Sequence, residues 1–316
     1  MRPPRPVPGR MPVTATGTNL DAFGSTEWLL LASVATMWGS SFYFMAVGLE
    51  SLRPGVVTLA RIGLGAAALA VLPRARRRVE REDLPRIALL GVIWMGVPLT
   101  LFPLAQQWID SSVAGILNAG MPLTTAVWAT ALLRRAPGPR QLVGLVVGFT
   151  GVVAVFLPEA AESQANALGS ALVVLAVVLY GLAANVAVPL QQRYGALPVL
   201  WRSQIAALVL VLPFGLASLP GSTFAWGPVL AMVPLGVLCT GLAFVLMTTL
   251  VGRVGGPRGT VAIYFVPLVA VLLGVTFRGE ALGPTTIVGT LLVIGGAWLT
   301  SRGEVPAAPA ITRARG

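Results

Sequence analysis

The chain runs through a succession of apolar stretches, each about long enough to cross a bilayer, separated only by short polar or basic connections. A helix needs about 20 mostly apolar residues to span the hydrocarbon core. Stretches near that length occupy residues 28–49, 55–73, 87–106, 112–133 and 141–157, and then 168–190, 199–219, 227–250, 259–277 and 284–300. Backbone polar groups find no water in lipid, so such runs satisfy them by becoming helical. The expected fold is an all-α integral membrane protein with ten transmembrane helices.

Composition agrees with that reading. Of 316 residues, 56% are hydrophobic and 10% charged, and the mean hydropathy is +0.83. Soluble domains carry about 25% charged residues. The formal charge of +11 is not read as a nucleic-acid footprint, because the arginines sit in short clusters between apolar runs. With the amino terminus placed in the cytoplasm, the alternation puts eighteen arginines inside, two (Arg53 and Arg278) outside and two (Arg61 and Arg202) within the membrane. That asymmetry follows the bias of cytoplasmic loops toward positive charge and places both termini in the cytoplasm. A bacterial inner membrane is the expected location, and Trp28, Trp108, Trp226 and Trp298 lie where interfacial anchors are expected.

The first 26 residues, rich in Pro, Arg, Thr and Gly, read as a disordered tail, and residues 301–316 as a second cytoplasmic tail. The apolar segment after the first tail is about a full bilayer long and more spans follow, unlike a signal peptide. Met1 and Met11 both remain candidate starts. Residues 27–157 and 168–300 form two halves, joined by an external linker at 158–167 that contains the acidic run Pro158 to Gln164.

The halves resemble each other. Residues 114–151 align without a gap on 259–296 at a shift of 145, matching Pro122 with Pro267, Pro139 with Pro284, Gly144 with Gly289 and Gly151 with Gly296. Upstream, Trp38-Gly39 meets Tyr180-Gly181 and Arg61 meets Arg202. Five spans per half invert the second half relative to the first, and two inverted five-helix repeats are an architecture of secondary transporters.

The residues Trp38 to Phe42 (WGSSF), Pro54 and Arg61, the run Ala105 to Gly115, Pro122, and the turn Gly279, Glu280, Leu282, Pro284 carry a family resemblance. Together they resemble the EamA-like ten-helix transporters of the drug/metabolite transporter superfamily, over about residues 26–302. The resemblance implies metabolite export. Two departures stand out. Arg134-Arg135 replaces the Gly-Glu that the family repeats in the first half. The first span holds only Glu27, at its edge, which argues against the drug–proton antiport of the small multidrug-resistance relatives.

The substrate-site candidates are Trp38, Ser41, Tyr43, Arg61, Gln107, Asn118, Asn185, Arg202 and Tyr264, with Pro122 and Pro267 as helix kinks. An ionisable residue inside a span is costly and marks a functional site by default. Arg61, roughly two turns from the helix start, is expected to face a solute cavity and pair with an anion, with Arg202 as its counterpart. Against this stands snorkelling to the headgroups. The serines equally suit backbone bonding, the Gln106-Gln107 pair a helix cap, and Gln204 joins the amides that need an internal partner. The glycines at 144, 148, 151, 289, 295 and 296 suit close helix packing. Glu280, beside Arg278, reads as a solvated turn.

A lone cysteine and the absence of histidine leave no cofactor or metal site. The same deficits, with no acid deep in a span, weigh against an intramembrane enzyme. The expected function is therefore a secondary transporter exporting a small polar metabolite, an amino acid or a relative, by alternating access. Export of amphiphilic or lipid-like compounds is the alternative, and a non-transporting scaffold a weaker one. The expected partners are a small-molecule substrate and the bilayer, without nucleic acid; a homodimer is left open.

Overall fold

A computed structural model describes residues 24–133, 138–254 and 261–301. The tails at 1–23 and 302–316, the Arg134-Arg135 pair and Arg258 lie outside the described residues. Helix is the regular structure throughout what is described. The helices are α1 (Ser25–Leu49), α2 (Pro54–Ala70), α3 (Leu84–Leu90), α4 (Val97–Ala105), α5 (Ser111–Asn118), α6 (Met121–Leu133) and α7 (Pro139–Glu162). They continue with α8 (Gln164–Tyr194), α9 (Ala196–Ala217), α10 (Trp226–Val233), α11 (Ala243–Val254), α12 (Val261–Arg278) and α13 (Pro284–Ser301). Six helical stretches are long and apolar enough to cross a membrane, and shorter apolar helices accompany them. This is a helical membrane protein.

Three local features follow from sequence chemistry. Proline opens α2, α7 and α13 at a position where its missing N–H costs nothing. π-Helical turns at Gly91–Gly96 and Pro234–Leu242 join α3 to α4 and α10 to α11. The stretch read as a fourth span breaks at Ala119-Gly120, and Pro122 stands at the start of the new helix. Pro267 lies inside α12, which continues through it.

The external linker expected at 158–167 is replaced by helix. α7 runs through Pro158 to Glu162, and α8 starts at Gln164. Only Ser163 separates them, its hydroxyl accepting from the Asn166 backbone N–H. A proline blocks the backbone bond from its own nitrogen, yet the flanking residues keep the helix.

Packing links the two ends of the sequence. α7 lies against α13, α1 against α12, α6 against α8, and α2 against α9. The π-turn before α11 packs on α2, and the π-turn before α4 packs on α9. Glycines set the close approaches: a Cβ at Gly296 would lie 2.2 Å from the Gly148 nitrogen. A Cβ at Gly39 would lie 2.5 Å from Val269 Cβ, and one at Gly181 would lie 2.4 Å from Thr124 Oγ1. Gly295, grouped with these glycines from sequence, meets nothing within 4 Å and takes no part. Leucine, valine and phenylalanine cover the outward faces of α7, α9 and α13, as a lipid-facing surface requires.

Candidate functional site

Arg61 is buried in the middle of the bundle, 5% exposed. Its Nε donates to Thr240 Oγ1 at 3.3 Å and its Nη1 to Met45 Sδ at 3.0 Å. Thr240 in turn donates its hydroxyl to the Leu235 carbonyl at 2.8 Å, across the π-turn. A guanidinium has five N–H donors and a thioether is a weak acceptor. Among the described residues Nη2 has no hydrogen-bond partner and no carboxylate forms an ion pair with Arg61. Its guanidinium is packed inside the protein and not extended along its surface. The centre thus holds a positive charge with spare donors.

Gln204 of α9 reaches the same threonine. Its Nε2 donates to the Thr240 carbonyl at 2.8 Å, while its Oε1 is buried and has no partner. Two aromatic groups line the surroundings. Trp38 meets Phe244 edge-on at 5.3 Å, and Phe244 meets Trp94 at 5.6 Å. Phe42 meets Phe102 at 5.6 Å, and Phe102 meets Tyr180 at 5.9 Å. Trp38, Phe42 and Met45 share one face of α1 by their i, i+4, i+7 spacing, which explains how one helix serves both groups.

Other expected site residues fall elsewhere. The Ser41 hydroxyl donates to the Trp38 carbonyl on its own helix at 2.6 Å. Tyr43 stacks obliquely between Phe44 and Phe277, each at 5.7 Å. Gln107 is exposed and caps the Leu104 carbonyl. Asn185 bridges α8 to α6 by donating to the Thr125 carbonyl at 3.1 Å. The Tyr264 hydroxyl donates to the Ala297 carbonyl at 2.8 Å, tying α12 to α13. Arg202 donates to the carbonyls of Ala75 and Pro198, both at 3.2 Å, and lies over Trp201. It is held at a helix end, and Gln204, not Arg202, meets Arg61's threonine. Asn118, at the end of α5, keeps a buried Oδ1 without a partner, as Gln106 does for its Oε1.

Arg61 and Gln204 are buried from the outside of the protein. A hollow of about 180 Å³ lies at the break between α5 and α6, lined by apolar side chains such as Leu117, Leu123, Trp128 and Val177.

The ends of the bundle carry ionic links between distant segments. At one end Arg253 pairs with buried Glu27 at 2.6 Å, and buried Asp83 accepts from Arg193 and Tyr194, both at 2.7 Å. At the other, Arg278 pairs with Glu50 at 2.8 Å. Glu280, expected to be a solvated turn, is buried there. Its carboxylate accepts from the Ser111 N–H (3.0 Å), the Ser111 hydroxyl (2.6 Å) and the Ser112 N–H (2.9 Å). It thereby caps α5 from 168 residues away, a role local sequence cannot show. Asp110 occupies the N-cap position without capping, and burial, then Glu280 and Glu162, push its carboxyl above the ordinary aspartate value, while Arg278 opposes.

Comparison with known proteins decides the family. The EamA-like transporter family matches residues 26–157 and again 167–302. The chain belongs to the EamA-like transporter family. A probable terminal-alkyne amino-acid exporter of Streptantibioticus cattleyicolor is 31% identical over 281 residues, spanning 87% of this chain and 93% of the relative. The uncharacterized transporter YoaV of Bacillus subtilis is 26% identical, over 86% of this chain and 95% of its own. An uncharacterized transporter of Archaeoglobus fulgidus is 25% identical, over 87% and 99%. A protein of known crystal structure, 19% identical, superposes with a TM-score of 0.59 over 87% of this chain and 97% of its own, so the fold is shared. This EamA-like protein is a multi-pass membrane protein of a transporter family, not an enzyme.

Proposed function

We propose that the protein is a secondary transporter that exports a small metabolite bearing an anionic group, an amino acid or a related acid, across a bacterial inner membrane by alternating access. The observation that carries this is Arg61, buried without a carboxylate partner. An uncompensated buried charge costs several kcal/mol, and an anionic solute is the natural compensation. The amino-acid exporter among its relatives favours the same class.

The architecture we infer is ten spans in two inverted five-helix halves, 27–157 and 168–300, with both termini cytoplasmic. Several features support it. The family matches each half separately. The π-turns begin at residues 91 and 234, at corresponding places in the two halves. Exchange of halves also maps Gly39 against Val269 onto Gly181 against Thr124, the pairs aligned from sequence. Alternating access then rocks the halves about the Arg61 centre, which is buried here. The two aromatic groups favour a second reading, an amphiphile whose apolar part lies against them.

The test is a thermal-shift titration of purified protein with metabolites of each charge class, wild type against Arg61→Ala. A ligand bound only by the folded state raises Tm with concentration. Anions that stabilise wild type and not the variant support the reading; equal shifts in both proteins reject Arg61 as the binding group.

A further inference from the structure

The centre offers more than a cation. Gln204 is 0% exposed, and the bond from its Nε2 to the Thr240 carbonyl fixes which way round its amide sits. Its Oε1 therefore stands as a buried acceptor that nothing among the described residues satisfies. Leaving such an atom unpaired costs about 1–3 kcal/mol. Arg61 binds the hydroxyl of the same Thr240 whose carbonyl Gln204 binds. Spare donors and a spare acceptor thus flank one residue, Thr240.

We propose that Gln204 selects the solute, by accepting a hydrogen bond from an N–H or O–H group on the carbon next to the carboxylate that Arg61 holds. This rests on the reading of Arg61 given above. A carboxylate alone leaves the Gln204 oxygen unpaired, whereas a 2-amino or 2-hydroxy acid satisfies both groups at once. A site built to bond a substrate N–H or O–H discriminates strongly against the analogue that lacks it, because its own polar group is then stranded. The aromatic faces nearby suit an ammonium as well as the solute's apolar tail.

The experiment uses three acids of one carbon skeleton: the 2-amino acid, the 2-hydroxy acid and the unsubstituted acid. Each is titrated by thermal shift against wild type, Gln204→Met, Gln204→Glu and Arg61→Met, with the Tm of each unliganded variant as the check on folding. In wild type at least one substituted acid binds tenfold or more tighter than the unsubstituted one. In Gln204→Met that preference disappears while the unsubstituted acid still binds. Gln204→Glu sets a carboxylate near Arg61 and weakens all three acids. The arms also tell which donor the site takes, ammonium or hydroxyl. Equal binding of all three acids by wild type, or a preference that survives Gln204→Met, overturns the role of Gln204 and leaves that of Arg61 standing. Acids that bind wild type and Arg61→Met alike, or bind neither, overturn both.

Discussion

At the scale of single residues, the bundle keeps groups that stability alone would discard. Among the described residues Arg61 lacks a counter-ion, and replacing buried charge by apolar side chains is often stabilising by about 1–4 kcal/mol. Arg61→Met is accordingly expected to raise the Tm of the unliganded protein while abolishing its response to acids. A lowered Tm would mean that the bonds to Thr240 and Met45 are structural. Glu280 has the opposite character. It satisfies two backbone N–H groups and a hydroxyl at the start of α5, so Glu280→Ala should cost about 2–4 kcal/mol, by the scale of charge-assisted bonds and helix caps. Denaturation in detergent measures it. Asp110 titrates in the raised direction under burial and the charges of Glu280 and Glu162. The folded state then holds the proton more tightly than the unfolded one, so stability falls as pH rises from about 3.9 through the raised folded value. Asp110→Asn should flatten that slope and stabilise the protein at neutral pH; an unchanged Tm–pH curve would refute the assignment.

Between residues and bundle lie the helix contacts, where neighbouring glycines should respond with opposite signs. Gly296 stands against the backbone of Gly148, and its Cβ has no room. Gly296→Ala forces α7 and α13 apart at about 1–3 kcal/mol. Gly295 faces open space, so Gly295→Ala gains helix propensity, worth up to about 1 kcal/mol. Melting the two single variants side by side checks the packing register of this pair. The sequence placed both residues in one packing set, because glycine spacing says which helix is smooth but not which glycine the partner touches. The helices themselves were legible: each expected span is mostly helical over its described residues, the fourth with a break at Ala119-Gly120 and some ending in a turn. The break at Ala119-Gly120 was foreshadowed by Pro122. The helical passage through Pro158 was not, since backbone bonds from its neighbours outweighed a proline and two acids.

For the whole molecule, the consequence of a buried centre is kinetic. Cys239, the single cysteine, is 2% exposed and lies beside Ser40 and the Arg61 centre. It is a built-in reporter of opening. Glu27→Gln, which removes the ion pair with Arg253, should speed labelling of Cys239 by a small maleimide, and a solute held by Arg61 should slow it again. Labelling at one rate in all these conditions would speak against alternating access around this centre.

The sequence by itself determined what depends on composition and period. Apolar runs of bilayer length dictate helices, while the orientation drawn from arginine asymmetry and the two inverted halves drawn from the internal match are part of the function proposed here. It also singled out Arg61, because a charge in an apolar helix is visible without coordinates. Only the tertiary structure decided which polar groups share a centre. The resemblance of Arg202 to Arg61 is a matter of register, but helix rotation sends Arg202 to the carbonyls of Ala75 and Pro198 and brings Gln204 to Thr240. The capping of α5 by Glu280 likewise joins segments far apart in the chain. Spacing along a helix fixes a side chain's face; which neighbour that face meets is settled by packing across the bundle.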